Sequence, residues 1–79
     1  MLIHEFNRNS VEKVRISLED FKGKRLIHIR IYEDYQDGKG FRPTKRGVSI
    51  DVSLAKELRK GIDRLFAKVE LGKNGKKQK

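Results

Sequence analysis

The hydrophobic period of this chain changes once, near Asp51, from two to an alternation of three and four. Apolar residues at every second position mark a strand with one face buried, and the three-and-four spacing marks one face of a helix. Strands therefore come first and a helix last, an α+β order in which an antiparallel sheet of three to four strands precedes one C-terminal amphipathic helix. "RLIHIRIY" is the clearest strand: Ile27, Ile29 and Ile31 share one face, and Leu26, His28, Arg30 and Tyr32 the other. "VRISL" repeats the pattern with Val14, Ile16 and Leu18, and Met1 to Phe6 reads as a short first strand or an arm ahead of the polar break "NRNS".

Gly23 gives "EDFKGK" the backbone freedom of a tight turn, and Asp37-Gly38 is the expected tip of the next. Pro43 has no amide hydrogen for a ladder, so "FRPTKRGVSI" is expected at a sheet edge or with an irregularity. Beyond it Leu54, Leu58, Ile62, Leu65, Phe66 and Val69 form the helical stripe, with Asp51 or Ser53 as its cap and Gly72 as its stop. Residues 1–70 are read as one binding domain and 71–79 as a lysine-rich tail expected to be disordered.

Size then demands a further device. A chain of 79 residues buries only about 60% of the surface it exposes unfolded, and so short a domain usually leans on disulfides, a metal or a partner subunit. There is no cysteine, and His4 and His28 stand far apart with no ligand cluster around them, so neither a metal nor any other cofactor is expected. Self-association is what is left, and a homodimer is expected, with Leu58, Gly61, Ile62, Leu65 and Phe66 on the helix as its interface. Gly61 in mid-helix costs about 1 kcal/mol relative to alanine. It is either simply tolerated or lets a second helix approach closely.

The formal net charge is +9, and the last nine residues hold four lysines and no acid. Setting those lysines aside leaves sixteen basic and eleven acidic side chains, or +5, so the body of the domain is itself basic and suited to a polyanion. Lys22, Lys24, Arg25 and Arg30 fall within nine residues of Phe21, and Arg42, Lys45 and Arg46 follow Phe41. Cations along the phosphates and aromatic faces for unstacked bases are the two requirements of sequence-tolerant single-strand binding. The acids of "YEDYQDG" are expected away from such a groove. No spacing of acids suggests metal-dependent nuclease chemistry, and no nucleophile–histidine grouping is evident, so an enzyme is not expected. No stretch reaches the roughly 20 apolar residues of a membrane helix, and the start lacks a signal-peptide pattern, so no membrane partner is expected.

"VRISLEDFKGKRLIHIRIYED", then "PTKRGVSI", then an amphipathic helix, resembles the DNA-binding domain of the transcriptional coactivator positive cofactor four, over Val14 to about Phe66. The resemblance implies a homodimer whose curved antiparallel sheets hold single-stranded DNA or melted duplex, with the helices packed at the dimer interface. It implies that Phe21 stacks on bases, that Lys22 and Lys24 contact the backbone, and that Arg30 serves the same groove. Lys45, Arg46 and Gly47 match the second basic element of the family. Where eukaryotic members carry Tyr-Trp this chain has Tyr32-Glu33, so Tyr32 or Tyr35 is expected to replace the missing tryptophan. The family's long serine-rich regulatory region is absent, which implies a short prokaryotic-type member in the cytoplasm, on the nucleoid; a eukaryotic one is expected in the nucleus. RNA and proteins of the transcription machinery are the alternative partners.

Overall fold

The computed structural model describes residues 1–76, and the side chains of residues 1–70. Four strands, β1 (Leu2–Asn7), β2 (Glu12–Phe21), β3 (Lys24–Asp34) and β4 (Phe41–Asp51), form one antiparallel sheet in the order β1-β2-β3-β4. A single 3-10 turn, Val52–Leu54, leads into the helix α1, Ala55–Lys76. Asp51 caps this turn, its carboxylate accepting from the Ser53 amide at 2.9 Å, and that hydrogen bond lowers its pKa. The helix runs on past Gly72, where a stop was expected, because a glycine ends a helix only when it adopts the left-handed conformation. The last three residues of the expected tail, 77–79, lie outside the described residues.

The turns follow from local chemistry. Phe21 pairs with Lys24 across a two-residue loop in which Lys22 and Gly23 have φ of 52° and 80°. Positive φ at both central positions is the turn whose twist matches that of the flanking strands. Between β3 and β4 two aspartates fold back on the backbone: Asp34 accepts from the Gln36 amide at 2.7 Å and Asp37 from the Lys39 amide at 3.1 Å.

Strand parity divides the sheet into two faces. Val14, Ile16 and Leu18 align with Ile31, Ile29 and Ile27, and the last two align with Val48 and Ile50, giving an apolar face across three strands. Nothing among the described residues covers it. The molecule measures 43 × 36 × 17 Å, and its 15.7 Å radius of gyration exceeds the roughly 12 Å of a compact domain this long. A buried core needs two layers, and one sheet supplies one. Ile27 is accordingly the only buried hydrophobic residue among those described.

The helix does not close this face. Its main contacts are with the 3-10 turn; Ala55 and Leu58 are half-buried there, and the remaining expected interface residues point to solvent. Ile62 is 54% exposed, Leu65 59% and Phe66 63%, and a Cβ added at Gly61 would meet no atom within 4 Å. The amphipathic stripe exists, and it finds no partner among the described residues.

Candidate nucleic-acid interface

The face opposite the isoleucines carries a groove of about 590 Å³. Its floor is a ladder of cross-strand rows. Phe21 faces Lys24, then Glu19 faces Leu26, then Ser17, His28 and Ser49 line up across β2, β3 and β4. Arg15, Arg30 and Gly47 form the next row, and Lys13, Tyr32 and Pro43 the last. Alternation makes this happen: residues that interrupt the apolar pattern of β2 and β3 all leave the sheet on one side.

Phe21 ends β2 with its ring 59% exposed, not tucked beneath the sheet, and the Lys22 ammonium lies 5.2 Å from the ring centroid. Lys24 stands across the hairpin from it. This end of the groove thus offers an open aromatic face with two cations beside it. At the other end the Arg15 guanidinium lies 4.3 Å from the Tyr32 ring centroid, so that one face of this ring is occupied. Tyr35, the other candidate to replace a tryptophan, sits in the β3–β4 turn, outside the groove lining, beneath the Arg42 guanidinium at 4.5 Å. Arg30, in the same row as Arg15, lines this end of the groove and donates to the Thr44 carbonyl at 3.1 Å; among the described residues it forms no ion pair, with Glu19 or any other acid.

The second basic element is rearranged by a bulge. Three residues of β3, Arg30 to Tyr32, face five of β4, Gly47 back to Pro43. Thr44 stitches the excess, its hydroxyl donating to the Ile31 carbonyl at 2.8 Å and accepting from the Arg46 amide at 3.1 Å. Gly47 has φ of 150°, and a Cβ there would collide with the Ile29 carbonyl oxygen and stand 2.8 Å from the Arg30 Cα. Glycine is required at this point by the backbone itself. Lys45 is exposed on the bulge.

Arg46 does not join the groove. Its guanidinium engages Glu12 and lies 3.6 Å from Glu33, two carboxylates that strand parity places on the opposite face. Glu12 also accepts from Arg8 Nη1 at 2.6 Å and Asn9 Nδ2 at 2.8 Å, fastening the β1–β2 turn to the β4 bulge. The hydrogen bond from Arg46, then that from Asn9, hold its pKa near 2, well below the ordinary 4.5. A depressed folded-state pKa means that the stabilisation is complete above about pH 4.5 and is lost as pH falls toward 2. Thermal melts between pH 6 and pH 2.5 are expected to show Glu12→Gln less stable than the parent at the upper end, with the gap closing on acidification.

Among the groove residues that sequence patterning did not assign to the site are two charged ones. Arg15 and Glu19 share the parity of Phe21 along β2 and both line the groove; that parity was the available signal. The Ser17 hydroxyl and the neighbouring terminal ammonium lower the Glu19 pKa. Among the described residues no group of three or more histidine, cysteine or carboxylate side chains is placed to hold a metal ion, and no helix is long and apolar enough to cross a membrane.

The family model described as Transcriptional Coactivator p15 (PC4) matches residues 9–61. Among solved structures, a PC4 homolog from Burkholderia pseudomallei aligns with a TM-score of 0.72 at 28% identity, over 86% of this chain and 88% of that one. A bacteriophage T5 homolog of the eukaryotic coactivator PC4, implicated in recombination-dependent DNA replication, shares the fold with a TM-score of 0.70 at 24% identity, over 90% of this chain and 81% of that one. MoSub1 in complex with single-stranded DNA aligns with a TM-score of 0.56 at 27% identity, over 95% of this chain and 83% of that one. Comparison with curated proteins finds no match.

Proposed function

Because the chain belongs to the transcriptional coactivator p15 (PC4) family, we propose that it is a homodimer that binds single-stranded DNA or melted duplex with little sequence preference, in transcription regulation or DNA maintenance. The observation that carries this reading is the exposed Phe21 ring, flanked by Lys22 and Lys24, at the mouth of a groove floored by Arg15 and Arg30. An open ring with cations beside it suits an unstacked base and its phosphates, and rings accept every base alike. MoSub1, 27% identical, has been solved with single-stranded DNA, which supports the same ligand here. The binding domain is taken as residues 1–70.

Dimerisation is supported by the uncovered apolar sheet face and by the exposed helical stripe of Ile62, Leu65 and Phe66, neither of which finds a partner among the described residues. A symmetric second copy supplies both a second sheet and a second stripe.

Fluorescence anisotropy with single-stranded, duplex and bubble DNA over a salt series tests the ligand, and light scattering on the same sample gives the mass. The expected result is a dimer that prefers single strands and bubbles, with affinity falling steeply with salt. Equal binding to duplex and single strand overturns the reading, and tighter binding to a matched RNA would reassign the ligand.

A further inference from the structure

Arg15 and Arg30 are register partners on β2 and β3, and both line the groove. Like charges directly opposite one another destabilise a sheet, yet each guanidinium is held in place. Arg15 Nε donates to Glu5 Oε1 at 2.7 Å while its plane covers Tyr32 at 4.3 Å. Arg30 donates one Nη1 hydrogen bond to the Thr44 carbonyl at 3.1 Å. Among the described residues no other protein hydrogen bond engages either group, so both Nη atoms of Arg15 and Nη2 of Arg30 retain unused donors. Lys13 Nζ lies 3.4 Å from the same Glu5, so two cations share a single carboxylate while Arg30 pairs with none, which leaves an excess of positive charge around the row.

We propose that Arg15 and Arg30 form a phosphodiester clamp at the Tyr32 end of the groove, and that Glu5 is the positioning residue that aims Arg15. The inference rests on the single-strand reading above and assigns two tasks to the two ends. The Phe21 end presents an open ring and stacks a base. The Tyr32 end presents nitrogen donors, because Arg15 already covers that ring, and a planar fork of donors matches a phosphate in a way an ammonium does not.

Glu5 occupies only the Nε arm of Arg15. It therefore fixes the guanidinium without exhausting its donors, which lowers the ordering cost when the ligand arrives. Glu5 lies on β1, ahead of the residues 9–61 that the family model matches, so the aiming arm comes from outside the matched region. Arg15 and Phe21 are six residues apart along β2, about 20 Å at strand rise. A ligand must span that length to use both ends.

The test is anisotropy over a salt series with two probes of equal length, a single-stranded oligonucleotide and one with a run of abasic sites. Circular dichroism and light scattering of each variant report folding and mass. Arg15→Gln and, separately, Arg30→Gln are each expected to weaken binding about tenfold at low salt. The salt slope should fall by about 0.7. The loss should be the same on both probes, since a clamp on phosphate ignores the base. Glu5→Gln and Glu5→Ala both remove the negative charge, but only glutamine keeps an acceptor for Arg15 Nε. Glu5→Ala is thus expected to bind several-fold more weakly than Glu5→Gln, and equal affinities overturn the positioning role. Absence of any single-strand binding by the parent protein defeats the proposed function itself. If the parent binds and Phe21→Ala weakens it, yet both arginine variants keep the parental slope, the clamp alone is overturned.

Discussion

Phe21→Ala is expected to weaken binding to a single-stranded oligonucleotide by about 1–3 kcal/mol, roughly five- to 150-fold, with little change in thermal stability. The two halves of this expectation have one cause. The ring ends β2 with 59% of its surface in solvent, so the folded state gains little by burying it and loses little by its removal. Stacking on an unpaired base, by contrast, covers that face. Phe21→Trp enlarges the face and is expected to retain affinity. On an abasic probe the parent and Phe21→Ala should bind alike, since only the stacking partner has gone. Unchanged affinity of Phe21→Ala for the ordinary oligonucleotide would move the stacking site elsewhere on the protein.

Much of the sheet was legible because parity needs no tertiary information. Ile27, Ile29 and Ile31 alternate with His28, Arg30 and Tyr32, and the structure sends the two sets to opposite faces. Lys22-Gly23 read as a tight turn through its glycine, although a lysine at φ of 52° is an unusual occupant of the first position. Pro43 announced an edge or an irregularity, and β4 shows both. What Pro43 could not announce is the size of the irregularity. The bulge adds two residues to β4, and Arg46 within it reaches Glu12 and Glu33 on the far face, while Lys45 is exposed and does not line the groove. The family resemblance had placed "KRG" in the groove as one unit; the bulge turns Arg46 away from it, and the close backbone approach at Gly47 that accompanies the bulge is not encoded in the pattern of side chains.

Arg15 went unread for a different reason. Beside Val14 and Ile16 it looks like the solvent-side residue of a half-buried strand, the usual place for an arginine. Its significance comes from three neighbours distant in sequence, Glu5, Arg30 and Tyr32, which converge only when β1 and β3 flank β2. The helix presents the same limit at larger scale. Its stripe was plain from the spacing of Leu58, Ile62, Leu65 and Phe66, yet a stripe states only that an apolar partner is needed, not which molecule supplies it.

Phe66→Asp is expected to convert the proposed dimer to monomer and to abolish cooperative thermal unfolding at micromolar concentration. A phenylalanine truncated in a packed site costs about 3–5 kcal/mol, and a carboxylate placed there adds an unpaired charge in apolar surroundings. Two-fold symmetry makes every such change twice per dimer, against a total stability that is small for so short a chain. Gly61 supplies a control whose sign depends on the partner. Within one chain a Cβ at this position meets open space, so Gly61→Ala in an isolated subunit should stabilise the helix by about 1 kcal/mol. If a second helix crosses at Gly61, the bulkier Gly61→Leu instead forces the backbones apart and lowers the melting temperature, more so on dilution because the lost contacts are intermolecular. Light scattering and concentration-dependent melts on the parent, Phe66→Asp, Gly61→Ala and Gly61→Leu separate these cases. A parent chain that runs as a monomer, with a melting temperature independent of concentration and raised by both glycine replacements, would remove the second copy from the function.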